Sequence, residues 1–176
     1  MANTRKNEIS TINNPCEDDI DIRDIAHALS MMTRANGHFT EFYSVARHSV
    51  NCALEATARG YSKRVALFCL LHDSAESYIG DMTRPLKMHF PLFSEYEKKL
   101  QKVIFSKYAT LDIDDDEKEK VKSVDDSLLY HEFLCYHGDK LFDFTPEIHI
   151  DVKDNSKNIS ETEKEFLCMY EALKIK

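Results

Sequence analysis

Apolar residues recur at the three- and four-residue spacing of amphipathic helices along most of the chain. Residues 62–79 show the pattern most strongly: the segment opens at Ser62, a residue type that caps helices, and is then almost wholly apolar, so we expect it at the centre of the fold. The acidic run that opens residues 114–137 suits the positive end of a helix dipole. Strand patterning is confined to residues 147–152, with the sequence EIHIDV, and to roughly the first dozen residues. The sequence therefore predicts an all-α domain, a helical bundle with at most a minor strand or hairpin, whose helices span residues 22–34, 41–59, 62–79, 92–109, 114–137 and about 160–174.

The prolines and glycines mark the ends of these segments. Gly60, Gly80 and Gly138 each follow a helical run, where a residue with left-handed backbone commonly ends a helix. The last helix opens with Ser160 and Glu163 in the spacing of a capping box. Because the chain has 4 glycines, scattered far apart, it cannot form a Gly-rich phosphate loop. This excludes the P-loop and the dinucleotide-binding classes of protein.

Length and charge narrow the class of protein further. A chain of 176 residues is typical of one domain with a sizeable core. The formal net charge of −8 argues against polymeric nucleic acid as a partner, but not against a small phosphorylated substrate. The 5 cysteines contain no CxxC pair, so we expect no disulfide framework. Neither a signal peptide nor a bilayer-spanning apolar run is evident, so we expect no membrane partner and a cytoplasmic location.

Residues 67–87, with the sequence LFCLLHDSAESYIGDMTRPLK, carry charged side chains where a core helix is predicted. On that helix His72, Asp73 and Glu76 share an edge that adjoins the apolar face. Charged groups near a core are costly unless they are paired or bound to a metal ion. The His-Asp dipeptide alone is weak evidence, because most such pairs are a histidine hydrogen-bonded to a nearby carboxylate. The segment by itself leaves both interpretations open.

Two further residues favour a metal site. His48 lies mid-helix beside an apolar face, one predicted helix upstream, and Asp125 lies in the middle of a later helix facing its apolar side. Two imidazoles and two carboxylates from three helices suit a divalent transition metal with open positions for water and substrate. Asp126 competes with Asp125 for this role, and helical facing favours Asp125.

The ordered set of His48, His72-Asp73 and Asp125 resembles the H…HD…D signature of the HD-domain phosphohydrolases. The stretch HDSAESYIGDMTRPLK is similar to the corresponding block of the small bacterial 5′-deoxynucleotidases and their phage relatives, and DIAHALSMMTRANGHFTEFYSVARHSV is similar to the segment that precedes their first metal histidine. The resemblance spans roughly residues 20 to 135. It implies an HD-domain core at residues 21–138, preceded by an N-terminal arm at 1–20 and followed by a C-terminal extension at 139–176 whose final helix packs on the core.

The resemblance implies a role for each matched residue. The metal ligands would be His48, His72, Asp73 and Asp125, holding Zn, Mn or Co, with a second Mg or Co ion accompanying the substrate. Glu76 would orient or deprotonate the attacking water, and Asp81 would lie near the leaving 5′-oxygen as a proton donor. Arg34 and Lys87 would bind phosphate oxygens, and His38 is a further candidate for a substrate contact.

One phage branch of similar chain length hydrolyses dATP to deoxyadenosine and triphosphate, so the resemblance implies a dATP triphosphohydrolase. The alternatives are a 5′-deoxynucleotidase that acts on monophosphates and a non-catalytic HD protein that binds nucleotide. The resemblance implies that the binding partner is a small deoxynucleotide. It also implies that the protein forms a homo-oligomer, either a dimer or a hexamer. Two positions depart from the family pattern: Ala35 replaces a tryptophan, and Arg47 replaces a more usual Glu or Gln.

Overall fold

A computed structural model describes residues 14–109, 113–153 and 157–175, with Arg84 described by its backbone only. Within these residues the fold is all-α, as predicted, and contains no β-strand. None of the described helices is both long enough and apolar enough to cross a bilayer. The helices are α1 (Ile22–Met31), α2 (Val45–Ala58), α3 (Lys63–Leu71), α4 (Glu76–Ile79), α5 (Arg84–Lys87), α6 (Pro91–Ala109), α7 (Asp115–Tyr136) and α8 (Ile159–Leu173).

The strand candidate at residues 147–152 was wrong, because these residues form no strand. The segment is held by a side chain instead: the backbone N–H of His149 donates to one Glu55 carboxylate oxygen at 2.8 Å, and its Nδ1 lies 2.9 Å from the other. The other strand candidate, roughly the first dozen residues, lies outside the described part of the chain. The end of the predicted N-terminal arm is packed on the helices, since Ile20 is buried and Lys107 donates to its carbonyl.

Side-chain caps explain where the helices begin. The side chain of Ser62 accepts a hydrogen bond from the backbone of Val65, so the predicted cap of α3 is confirmed. The predicted capping box of the last helix was wrong by two residues. Asn158 and Glu161 form the reciprocal pair there, because Asn158 directly precedes the first helical residue.

Helix α3 is the centre of the fold, as its apolar pattern predicts. Every residue from Val65 to Leu71 is buried, and the helix packs against α2, α6, α7 and α8. A helix that is apolar on all sides is stable only where neighbours cover every face. The residues that follow α3 are therefore held deep in the bundle.

The helix predicted over residues 62–79 is broken. α3 ends at Leu71 and α4 begins at Glu76, with a turn between them. In a continuous helix the backbone N–H of Ala75 would donate to the carbonyl of Leu71. The side chain of Gln101 on α6 takes both positions: its Oε1 accepts from Ala75 at 3.0 Å and its Nε2 donates to Leu71 at 2.7 Å.

A tight turn at Arg34–Gly37 shortens the two helices predicted around it, which end at Met31 and begin at Val45. Ala35 and Asn36 have φ values of 52° and 51°, in the left-handed region that residues with a side chain rarely adopt. A helix cannot pass through such residues. After the turn the chain pairs with the residues that follow α1: the backbone N–H of Val45 donates to the carbonyl of Met32 at 3.0 Å.

The C-terminal helix α8 is part of the bundle and packs on α1, α2 and α3. Arg47 on α2 is buried against α8. Its guanidinium lies 2.8 Å from the Glu165 carboxylate and donates to the hydroxyl of Thr162 at 3.2 Å. Arg47 therefore links α8 to α2 through an ion pair and a hydrogen bond.

Candidate metal centre

The Nε2 atoms of His48 and His72 lie 3.3 Å apart beside two carboxylates. His48 is a fully buried residue of α2, and His72 and Asp73 open the turn after α3. Asp73 Oδ2 lies 3.3 Å from the Nε2 of His72 and 3.8 Å from that of His48. Asp125 Oδ1, from α7, lies 3.2 Å from the Nε2 of His48 and 3.7 Å from that of His72. We call His48, His72, Asp73 and Asp125 the four-residue cluster.

Hydrogen bonds to the outer ring nitrogens fix how both imidazoles face the cluster. The Nδ1 of His72 lies 2.7 Å from the carbonyl oxygen of Cys69, which can only accept, so Nδ1 donates and Nε2 keeps its lone pair in the neutral ring. The Nδ1 of His48 lies 2.7 Å from the Glu132 carboxylate. Nearby His48 and Arg34 charges hold the pKa of Glu132 below its usual value although burial alone would raise it, so Glu132 accepts as well. With both rings neutral, as binding of a metal ion requires, the two Nε2 lone pairs would point into one space.

The two carboxylates of the cluster attract positive charge, which protons on the imidazoles or a metal ion can supply. Burial alone would raise the pKa of Asp125, but the two histidines hold it well below its usual value, and the pKa of Asp73 is also lowered. Burial alone would lower the pKa of His72, yet Asp73 and Asp125 raise it to about 9. Bonds of about 2.0–2.1 Å to a common ion would put neighbouring donors about 3–3.4 Å apart, close to the separations observed. The donor chemistry fits a divalent metal ion.

Cys52 adds a sulfur to this environment, and His48, Cys52 and His72 form a group that could hold a metal ion. The sulfur lies 3.4 Å from the Nε2 of His48 and 3.9 Å from its Nδ1, so it sits alongside the ring rather than beyond Nε2, where the lone pair points. Burial and the nearby Asp125 charge raise the pKa of the Cys52 thiol well above its usual value. The carboxylates, already ionised, are the stronger donors. The sequence signal for Cys52 was its position four residues after His48, which places both on one helix face.

Glu132, on α7, organises the residues behind the cluster. It has no exposed surface. Besides His48, it accepts hydrogen bonds from the Nε of Arg34 at 2.9 Å and from the hydroxyl of Tyr43 at 3.0 Å. The amide of Asn51 in turn donates to that hydroxyl at 2.8 Å. Sequence reasoning did not single out Tyr43 or Asn51; Asn51, three residues after His48, could have been found by helical spacing.

Glu76, the residue expected to act on water, is buried in α4. Its Oε2 has no hydrogen-bond partner among the described residues. Burial, together with the charges of Asp73 and Asp81, raises its pKa to about 10. Asp81 itself is half-exposed beyond the end of α4. The Nζ of Lys87 lies 3.5 Å from a carboxylate oxygen of Glu76 and 2.5 Å from one of Glu97.

The residues expected to bind phosphate differ in their surroundings. Arg34 is buried beside the four-residue cluster, with its terminal nitrogens 3.4 Å from Asp73 and 3.9 Å from Asp125. Burial alone would lower the pKa of Arg34, but the adjacent carboxylates raise it, so the guanidinium stays charged. Within the described residues the exposed side chain of His38 makes no hydrogen bond to the cluster. Asp126, the rival of Asp125, pairs with Lys122.

The chain is similar to two proteins that are themselves uncharacterized. It is 40% identical over 92 residues to the protein YfdR of Escherichia coli (strain K12), a match that covers 52% of this chain and 49% of that protein. It is 45% identical over 78 residues to the protein RCAP_rcc00048 of Rhodobacter capsulatus, covering 42% of this chain and 39% of that protein. The chain thus spans half or less of the length of these relatives. No protein-family model matches it.

Proposed function

We propose that the protein is a metal-dependent phosphohydrolase of the HD type that hydrolyses dATP to deoxyadenosine and triphosphate. The observation that carries the proposal is the convergence of two imidazole Nε2 atoms, 3.3 Å apart, with a carboxylate oxygen of Asp73 and one of Asp125, each 3.2–3.8 Å from both nitrogens. Such a set is costly to bury without a cation. The choice of dATP rests on the resemblance of the segment before His48, residues 24–50, to the phage branch.

The four-residue cluster would hold the ion, and Zn, Mn and Co all suit two imidazoles and two carboxylates. When bound, such an ion lowers the pKa of a water molecule and polarises a phosphoryl oxygen. Glu132 keeps the Nε2 lone pair of His48 directed at the cluster, and the Cys69 carbonyl does the same for His72.

Two acids, Glu76 and Asp81, would transfer protons in opposite directions. Glu76 offers a buried carboxyl oxygen without a partner among the described residues. A cation held by the four-residue cluster would lower the raised pKa of Glu76, and the ionised carboxylate could then take a proton from a water molecule. Asp81 is close enough for its charge to act on Glu76, and its partial exposure lets it face the leaving 5′-oxygen of a nucleotide. Lys87, held between Glu97 and Glu76, provides a positive charge for a phosphate oxygen.

One observation favours a second candidate, a 5′-deoxynucleotidase that acts on monophosphates. Of the two cations expected to bind phosphate, Arg34 faces three carboxylates, including Glu132 at 2.9 Å, and Lys87 lies 2.5 Å from Glu97. These two side chains therefore have little positive charge left over for the β- and γ-phosphates. A monophosphate needs less of it.

The experiment that separates the candidates is a product analysis. The purified protein is assayed for bound metal and then incubated with dATP and, separately, with dAMP. Release of inorganic triphosphate and deoxyadenosine from dATP is the expected result. Orthophosphate from dAMP, with dATP untouched, would establish the monophosphatase instead, and the absence of turnover on either substrate by metal-loaded protein would contradict both.

A variant of Glu76 tests the catalytic assignment. Glu76→Gln keeps the size of the side chain but removes the proton acceptor, so turnover should fall by about 10²–10⁴-fold while metal content is retained. Glu95→Gln is the control, since Glu95 is an exposed residue of α6 that pairs with Lys99. Unchanged turnover in Glu76→Gln would remove Glu76 from the mechanism.

A further inference from the structure

The turn that bears His72 and Asp73 is held from outside by a helix that contributes no residue to the four-residue cluster. Leu71 directly precedes His72, and Ala75 follows Asp73 by two residues. Both of their backbone groups are bound by the one side-chain amide of Gln101, on α6. His72 and Asp73, the two proposed metal ligands of the turn, therefore lie between the two residues to which Gln101 is hydrogen-bonded.

The neighbouring hydrogen bonds show that the turn is not a distorted stretch of ordinary helix. The backbone N–H of Ser74 donates to the carbonyl of Leu71 at 3.0 Å, and that of Glu76 donates to the carbonyl of Asp73 at 3.0 Å, three residues back in each case. Such bonds tighten the chain relative to an α-helix. They leave the N–H of Ala75 without its helical acceptor, and a part-buried amide without a partner is costly. Gln101 supplies the acceptor.

We infer that Gln101 is a positioning residue: its amide replaces the helical bond between Ala75 and Leu71 and thereby holds the His72 and Asp73 donors in the cluster. The geometry suits this role because a primary amide can accept from an N–H through its oxygen and donate to a carbonyl through its nitrogen at the same time. A carboxylate or a thioether of similar length can do only part of this or none. The inference rests on the proposed metal site, because the donors matter only if they bind an ion.

The test compares Gln101→Met with Lys98→Met, an exposed position on the same helix. Methionine approximates the length of glutamine but makes neither hydrogen bond. In metal-free protein we expect the amide hydrogen of Ala75 to exchange at least about tenfold faster in Gln101→Met, and not in Lys98→Met. In a chelator competition, the dissociation constant for Zn²⁺ should rise roughly 10–100-fold in Gln101→Met alone.

Each outcome bears on the inference. An unchanged exchange rate at Ala75, or faster exchange with Zn²⁺ affinity unchanged within about twofold, would overturn it. If wild-type protein binds no Zn²⁺, Mn²⁺ or Co²⁺, the proposed function fails, while exchange at Ala75 still decides whether Gln101 holds the turn. Should Gln101→Met fail to fold by circular dichroism, Gln101→Glu replaces it. That variant keeps the acceptor for Ala75 and loses the donor to Leu71, so we expect slow exchange at Ala75 but weakened Zn²⁺ binding.

Discussion

Glu132 accepts a hydrogen bond from His48 across 2.7 Å, and neither side chain has any exposed surface. A carboxylate in this position fixes the tautomer and the orientation of a metal-binding histidine. An amide in its place could donate to Nδ1 instead and turn the ring's proton toward the cluster.

Glu132→Gln should therefore weaken metal binding roughly 10–100-fold, measured as a dissociation constant by titration calorimetry. The matched control is Glu163→Gln. Glu163 lies 2.9 Å from His27 in a partly exposed glutamate–histidine pair that includes no residue of the four-residue cluster. Equal affinities in Glu132→Gln and wild type would show that Glu132 does not orient His48.

Asp125 and Asp126 allow a direct comparison of neighbouring carboxylates. Asp125 lies 3.2 Å from the Nε2 of His48, whereas Asp126 pairs with Lys122 on the outside of α7. After dialysis, Asp126→Asn should retain about one metal ion per chain, whereas Asp125→Asn should retain a small fraction of that. Elemental mass spectrometry measures the metal content. The reverse result would exchange the roles of the two residues.

Removal of the metal should destabilise the protein, because an ion that binds only the folded chain adds its binding free energy to stability. At a metal concentration about 100 times the dissociation constant this contribution is about 2.7 kcal/mol. For a chain of this size it corresponds to a melting temperature about 5–10 °C higher than in excess chelator. Calorimetry with and without added Zn²⁺ measures the difference, and coincident transitions would argue against a bound ion.

The stability of the fold should also fall in acid through Glu55, on α2. Burial alone would raise the pKa of Glu55, but hydrogen bonds from His149 and Arg59 lower it below its ordinary value of 4.5. A carboxyl group whose pKa is lower in the folded state stabilises the fold above its unfolded pKa, and this contribution is lost as the pH falls through the folded value. We expect Glu55→Gln to be about 2 kcal/mol less stable than wild type at pH 7, and the gap to close below about pH 4.5.

Urea unfolding from pH 7 to pH 3 measures that gap. Glu147→Gln is the control, since Glu147 is exposed and lies 3.3 Å from the other ring nitrogen of His149. A gap for Glu55→Gln that stays constant with pH would mean that its carboxyl group titrates alike in the folded and unfolded chain.

The turn at Arg34–Gly37 holds Ala35 at a φ of 52°, where its Cβ crowds the backbone. Ala35→Gly should remove this strain and raise the free energy of unfolding by about 0.5–1 kcal/mol. Asn36→Gly should change it less, because asparagine tolerates left-handed backbone better than alanine does. A loss of stability in Ala35→Gly, measured by urea unfolding, would indicate that packing of the Ala35 methyl group outweighs the strain.

Features of the fold that depend on apolar periodicity could be predicted from the sequence. Features that depend on single hydrogen bonds could not. The central position of α3 followed from its pattern, because that pattern reports burial on every side. The break after Leu71 did not, since its cause is an amide from Gln101 on a later helix. The meeting of His48 with Asp125 could be expected from helical facing, whereas the contact of Tyr43 with Glu132 could not, because a buried tyrosine in an apolar segment looks like ordinary core.

The pairing of buried Arg47 with Glu165 limits how far the chain can be shortened for expression. Deleting α8 would strip the guanidinium of its counter-charge and open the core side of α2, the helix that carries His48. Fragments that stop after α7 should therefore aggregate or be recovered in the insoluble fraction, even though every residue of the four-residue cluster is retained.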